Sequence, residues 1–358
     1  MAVLAMMGAA CLSQSVSAGE SFGEQRAATR LLRLKLNFPP GTENPKDATD
    51  LLSRALQQEN LFATESPSLS IHARLESASE GSKVATGDYT KLWVSPVRWR
   101  EEISFANFHR TRVGQADGYW QKRDLDYQPE AIFQIDQVLN LKSVLALTAN
   151  ETVGETSTKN EGGTVLTCMD VNRGEKPVRK LCFDQAQGVL VSVAYLTLPH
   201  SLAPEVNRVE YSEFTPWKEK LFPNRIRVLR GKKVVTEVTA LKLADLASVD
   251  SPSFDPPKNA DFWPRCGDEL QKAKLVSHVS PEYPHAARVN HVRGRVIFFA
   301  VVEVDGSLSR ITVINSPAGE LENAALQAIR QWRYTPASCA GAPVRFETSI
   351  SVEFWLDL

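Results

Sequence analysis

"RQWRYTPA", residues 330–337, stands near the end of a 358-residue chain. It follows "GELENAALQAI", 319–329, where Leu321, Ala324, Ala325, Ala328 and Ile329, together with Trp332, fall on one helical face. A strand-like run, "APVRFETSISVEFWLDL" (342–358), comes after it. The spacing predicts an amphipathic helix that ends in Trp332 and Tyr334 and is stopped by Pro336. A small domain has little core to spare, and two large aromatics supply buried area where the chain turns back to a sheet.

The segments upstream fit such a domain. "SPEYPHAARVNHVRG", 280–294, reads as an extended X-Pro stretch and a short helix. "GRVIFFAVVEV", 294–304, is an apolar strand, and Asp305-Gly306 turns it into a second strand, 307–316. Residues 267–358 therefore read as a ββαβ domain with a short leading helix. Before it lies a Pro-rich linker, 251–266.

Residues 46–250 carry a different pattern. "ATDLLSRALQQENLF", 48–62, has helical spacing. About ten alternating strands follow, beginning with "LSIHARLESAS" and "TGDYTKLWVSP". One helix interrupts them at 128–147, with Ile132, Ile135, Val138, Leu139 and Leu141 in a stripe. Turns fall at Glu80-Gly81, Ser95-Pro96 and Asp117-Gly118. So wide an antiparallel sheet curls, and its concave face needs cover from the helices or from a ligand. The fold class expected is α+β: a large curled half-barrel sheet with helices, plus the small ββαβ domain.

The N-terminal residues 1–18 resemble a secretory signal peptide, with an apolar run over 2–12 and "VSA" before Gly19. The basic start of such a segment is missing, since the first Lys or Arg is Arg26. Cys11 raises acylation, although Gly8 sits where an acylation signal carries Leu. Residues 19–45 read as a loose leader. Export favours disulfides among the four later cysteines. Cys168 and Cys182 flank the turn "VNRGEKPVRK" and fall opposite each other in a hairpin, which leaves Cys266 with Cys339.

The C-terminal residues resemble the C-terminal domain of the TonB energy-transducer family. Tyr283-Pro284, Gly294 after it, Asp305-Gly306, and Trp332-Arg333-Tyr334-Thr335-Pro336 occur in the family's order. The resemblance implies a terminal strand whose open edge takes up an extended peptide of an outer-membrane receptor, the TonB box, as a further strand. The corresponding residues here are Val344, Arg345, Phe346, Glu347, Thr348, Ser349, Ile350, Ser351 and Val352, continuing to Phe354. Alternation puts Arg345, Glu347, Ser349 and Ser351 on one face. The family's transmembrane anchor and long Pro-rich spacer are not evident, and Ala286 stands where some members have a basic residue.

The larger region resembles the LolA/LolB/RseB-type lipoprotein-binding half-barrels. The residues are Ser95-Pro96, Arg98 and Arg100, then Asp117-Gly118 and Trp120. This resemblance implies a concave apolar face, with Trp93, Trp99, Phe105, Phe108 and Trp120 as either ligand lining or plain core.

Net charge is −1, so no overall field favours nucleic acid. No nucleophile elbow, zinc-protease helix, phosphate loop or dinucleotide fingerprint occurs, and the six histidines are scattered. The expectation is a periplasmic, non-enzymatic protein with no cofactor or metal that binds envelope partners by strand addition. The alternatives are a lipid or lipoprotein carrier using the half-barrel, and a transducer whose anchor precedes the given start.

Overall fold

The computed structural model describes residues 45–78, 84–197, 205–246 and 251–355. The signal-like segment, residues 19–44 of the leader, Cys11 and the Glu80-Gly81 turn lie outside them. The fold is α+β and largely antiparallel. Described residues fall into two compact units, one within 45–116 and 128–258, the other within 117–127 and 259–355.

In chain order the elements begin with α1 (Pro45–Glu59), β1 (Leu69–Ser77), β2 (Ala85–Ser95), β3 (Arg98–Phe105), β4 (Phe108–Gly114) and β5 (Gly118–Arg123). Then come α2 (Glu130–Leu139), α3 (Leu141–Leu145), β6 (Glu151–Glu161), β7 (Thr164–Arg173), β8 (Lys176–Asp184) and β9 (Leu190–Thr197). β10 (Glu205–Trp217), β11 (Lys220–Arg230) and β12 (Lys233–Asp245) complete the first unit.

Its sheet runs β4-β3-β2-β1-β12-β11-β10-β9-β8-β7-β6 and does not close on itself. The expected single helix over 128–147 is two, broken at Asn140, whose φ of −96° and ψ of 73° are not helical. Residues 98–114, whose alternation is unbroken in the sequence, form a hairpin: Phe105 faces Phe108, and Ala106 takes a positive φ of 51°. Cys168 and Cys182 sit opposite each other on β7 and β8 and are disulfide-bonded.

α1 and α2 cover one face of this sheet. Leu51, Leu52 and Ala55 of α1 are buried, as are Ile132, Ile135 and Val138 of α2. Between α2 and the strands lies a buried charge network. The fully buried Arg110 donates to both carboxylate oxygens of Asp136 at 2.7 Å, to Glu101 at 2.9 Å and to Gln128 at 2.6 Å. Arg112 adds a bond to Asp136 at 3.1 Å, and Lys91 one to Glu101 at 3.3 Å. Burial alone would raise the Asp136 carboxyl, but Arg110 and Arg112 outweigh it and hold it down at about 2. Burial likewise opposes ionisation of Glu101, and Lys91 and Arg110 bring its pKa below the usual carboxylate value.

Glu59 closes α1 in the opposite electrostatic setting. Its Oε1 accepts the Leu190 N–H of β9 at 2.6 Å, while Oε2 is buried with no hydrogen-bond partner among the described residues. Burial pushes this carboxyl up to about 8, against the smaller lowering effect of the Leu190 bond. The folded protein therefore holds a proton that the unfolded chain has lost between the ordinary carboxylate value and about pH 8. That contribution to stability is complete at low pH and is lost as pH rises through this window. Glu59→Gln keeps an acceptor for Leu190 and cannot ionise. Its stability should exceed wild type at pH 9 by on the order of a few kcal/mol, and the gap should close towards pH 4. Urea unfolding of both proteins across that range measures it.

Candidate functional site: an open strand edge in the C-terminal unit

The second unit is built from β5 and the chain after residue 258. Its elements are β13 (Asp261–Pro264), β14 (Leu270–Gln271), β15 (Lys274–Ser277), α4 (His285–Val289), β16 (Gly294–Val302) and β17 (Leu308–Asn315). They continue with α5 (Gly319–Ile329), β18 (Arg333–Thr335), β19 (Ala337–Cys339), β20 (Ala342–Val344) and β21 (Phe346–Phe354).

The central sheet has the order β17-β16-β21, which is the expected ββαβ arrangement. Val296, Phe298, Ala300 and Val302 on β16 and Ile350, Val352 and Phe354 on β21 alternate inward, where they join Leu321, Ala325 and Ile329 of α5 in one core.

The stretch 330–337 departs from its expected form. α5 ends at Ile329, and Trp332 and Tyr334 lie beyond it. Arg333–Thr335 is a strand that pairs with β15. Trp332 is buried in the core and donates its indole N–H to the Val279 carbonyl at 2.9 Å. Tyr334 lends its backbone to the β16–β17 hairpin, donating its N–H to the Gly306 carbonyl at 2.9 Å. Gly306 has φ +82°, and a Cβ there would lie 2.0 Å from the Tyr334 carbonyl oxygen. Tyr283 donates its hydroxyl to the Val292 carbonyl at 2.6 Å and stacks edge-on against Phe354. Pro284 caps α4, and Gly294 opens β16 at φ +144° beneath Pro317. The side chain of Asp305 accepts from the Ser307 N–H and hydroxyl, which fixes the turn. The motif residues thus assemble the domain's frame.

β21 is engaged on one side. It pairs with β16 over nine consecutive positions, from Gly294↔Phe354 to Val302↔Phe346, with no slip of register. Among the described residues no strand pairs with its other side. An antiparallel strand points alternate N–H and C=O groups to each side, so half of this backbone faces the open edge. β17, the opposite edge, is a poorer template. Its register against β16 breaks twice, and Arg310 within it has φ +48°. Bulges of this kind blunt an edge against further pairing.

Of the nine residues singled out, Phe346 to Val352 lie on β21, while Val344 belongs to β20 and pairs with Ala337. Glu347, Ser349 and Ser351 face Val301, Phe299 and Ile297 on the side away from the core. Residues that the sequence did not mark hold this side. Arg123 of β5 meets Glu347 at 2.8 Å and lies over the Phe299 ring at 5.2 Å. Asp261 of β13 bridges Arg345 at 3.0 Å and Arg310 at 2.9 Å, and Arg345 stacks over Trp263. Burial raises the Asp261 carboxyl less than hydrogen bonds from Arg310 and Arg345 lower it. β13 itself pairs with β5.

Two short pairings extend the unit towards the linker: β14 joins β19, and β15 joins β18. Cys266 and Cys339 are disulfide-bonded beside them.

The aromatic set expected on the half-barrel divides. Trp93 pairs across from Trp99, and Phe105 from Phe108, on the face that also carries Lys91, Glu101 and Arg110. Trp93, Phe105 and Phe108 are buried, and Trp93 packs against Phe62. Trp120 lies in the other unit, against Phe262. Among the described residues no group of His, Cys, Asp and Glu is placed to hold a metal ion, and no helix is long and apolar enough to cross a membrane.

Residues 279–356 match the family model for the C-terminal region of Gram-negative bacterial TonB proteins. Protein TonB of Vibrio cholerae is 32% identical over 90 residues, which are 25% of this chain and 37% of that protein. The chain thus spans well under half of that relative's length. Similar solved structures include a LolA-superfamily protein of Nitrosomonas europaea, with TM-score 0.38, 13% identity, and coverage of 58% of this chain and 97% of that one. A lipoprotein-sorting protein domain of Vibrio parahaemolyticus gives TM-score 0.40, 11% identity, and coverage of 59% and 97%.

The Gly306–Tyr334 contact leaves no room for a side chain. Gly306→Ala should destabilise the C-terminal unit by about 2–4 kcal/mol, combining the clash with a strained positive φ. Loss of the near-ultraviolet signal of buried Trp332 at lower denaturant than in wild type is the readout.

Proposed function

We propose that this chain is a TonB-like protein of the bacterial cell envelope that binds an extended segment of a partner by adding it to β21. The observation carrying this reading is the nine-residue, slip-free strand with one unpaired side, set against a second edge that is bulged. Backbone bonds along the strand supply affinity, and side-chain pockets at alternate positions supply choice. The partner class is a receptor or other envelope protein with an extended peptide segment. The chain acts in the periplasm, without catalysis or cofactor, and participates in transport across the outer membrane.

The half-barrel supports a second reading, carriage of lipid or lipoprotein. On the β2–β4 face the fully buried Arg110 ties α2, through Asp136, to Glu101 of β3. Carriage there requires α2 to leave its buried position. Strand addition requires no rearrangement of the core and is the reading favoured.

Strand addition has a periodic signature. Peptides carrying the TonB-box segment of a receptor should bind the full chain and shift amide resonances of 346–354 most. N-methylating one peptide amide at a time should weaken binding at alternate positions, by about fivefold for each lost hydrogen bond of about 1 kcal/mol. Equal sensitivity at adjacent amides, or shifts centred on 85–114, would exclude addition at β21.

A further inference from the structure

α1 is tied to the sheet through its last turn. Leu190 of β9 donates its N–H to Glu59 at 2.6 Å, and Lys220 of β11 donates to the Gln57 carbonyl at 2.6 Å. Ahead of these ties the contact is apolar. Ala48, Leu51, Leu52 and Ala55 are buried, and the helix packs against β6, β11 and α3. The polar end is poorly satisfied. Glu59 Oε2, Gln58 Oε1 and the Tyr211 hydroxyl of β10 are buried with no hydrogen-bond partner among the described residues. Glu59 acts electrostatically on Tyr211, which places the two at one site. Orphaned groups regain water when a contact opens, so closing it here costs free energy.

We propose that α1 is a pH-released latch: ionisation of Glu59 frees its last turn from β9, and the helix leaves the sheet while the sheet stays folded. α1 contributes no strand, so its departure breaks no ladder bond. The hinge is Asn60, whose side chain accepts the Phe62 N–H at 3.1 Å. Beyond it Leu61 is buried and Phe62 packs on Trp93, which keeps the chain anchored. α2 is held differently, since Arg110 and Arg112 keep Asp136 ionised throughout the range in which Glu59 titrates.

The groups around Glu59 leave it alone to respond. Burial raises its carboxyl and the Leu190 bond lowers it, with no offsetting charge beside it among the described residues. Burial, and then Glu59 itself and Tyr195 of β9, push the Tyr211 hydroxyl well above its ordinary value. Asp184, at the turn into β9, accepts the N–H groups of Ala186 and Gln187. On β6, Glu151 pairs with Arg173 and Arg179, and Lys159 with Glu161. On β11, Lys220 is bound to Gln57, and Arg225 and Arg227 pair with Glu213 and Glu210. Asp50 and Arg54 of α1 itself are exposed.

Once the helix is off, Glu59 returns to the ordinary value of 4.5. Opening therefore releases a proton between that value and about pH 8, and the open fraction rises about tenfold per pH unit across this window. It is lowest and constant below the window and levels off above it. The latch rests on neither functional reading given above.

Hydrogen exchange of the full chain from pH 5 to 9, read by mass spectrometry and corrected for intrinsic rates, tests it. Peptides within 48–58 should open at lower free energy than peptides of β9 to β11, with the tenfold rise per pH unit up to about pH 8. Glu59→Gln should abolish the rise. Tyr211→Phe should keep it while lowering the open fraction at every pH, because one orphaned hydroxyl is gone. Exchange of α1 together with β9 to β11 at every pH overturns the latch in the wild-type protein alone, even if urea unfolding follows Glu59 as expected above. A pH-dependent opening of α1 that persists in Glu59→Gln overturns it as well.

Discussion

A strand backbone bonds on two sides, and among the described residues β21 pairs on one. Contacts within the C-terminal unit hold both faces of that strand. α5 and the core residues of β16 hold one face. Arg123 and Asp261 hold the other through ion pairs to Glu347 and Arg345. Charged contacts on the second face suit a surface that must avoid both collapse and indiscriminate pairing. β17 is bulged, so only one of the two edges has an unbroken ladder.

The domain's recognisable residues and its proposed working residues are different sets. Gly306, Trp332 and Tyr334 are legible because their chemistry is unusual: a positive φ, a buried indole with one bond, a backbone docked on a turn. The proposed strand addition uses amides that every residue has, so β21 has no motif beyond its alternation. A family resemblance located the strand, and the register of pairing located the open side.

Elsewhere the fold is legible in the sequence where periodicity is strong. The amphipathic stripes of α1, α2 and α5 and the Cys168–Cys182 pairing were all visible. The hairpin at Ala106-Asn107 was not, because neither residue is glycine and the alternation runs straight through the turn. The apolar helical spacing runs on past Ile329 to Trp332, although the Trp332 side chain reaches the core from a turn. Arg123 and Asp261 gave no signal at all. They lie far apart in the chain, one on a polar strand and one in a proline-rich connection, and only tertiary structure brings them to the same sheet. The Arg110 network was equally hidden, since alternate charged residues on a strand ordinarily mean a solvated face.

The Cys266–Cys339 bond has a mechanical meaning. It closes a covalent loop over a sequence separation of 73 that contains β14 to β18 and α5. Tension entering the unit from the linker and leaving through β21 would cross from Cys266 to Cys339 through sulfur. The loop is then shielded from the load, and about 250 Å of extended chain stays stored whatever the pull. In the reduced protein the same pull would run through β15 and β16 and could draw that length out. Oxidation thus makes this unit a short, inextensible path between the linker and β21.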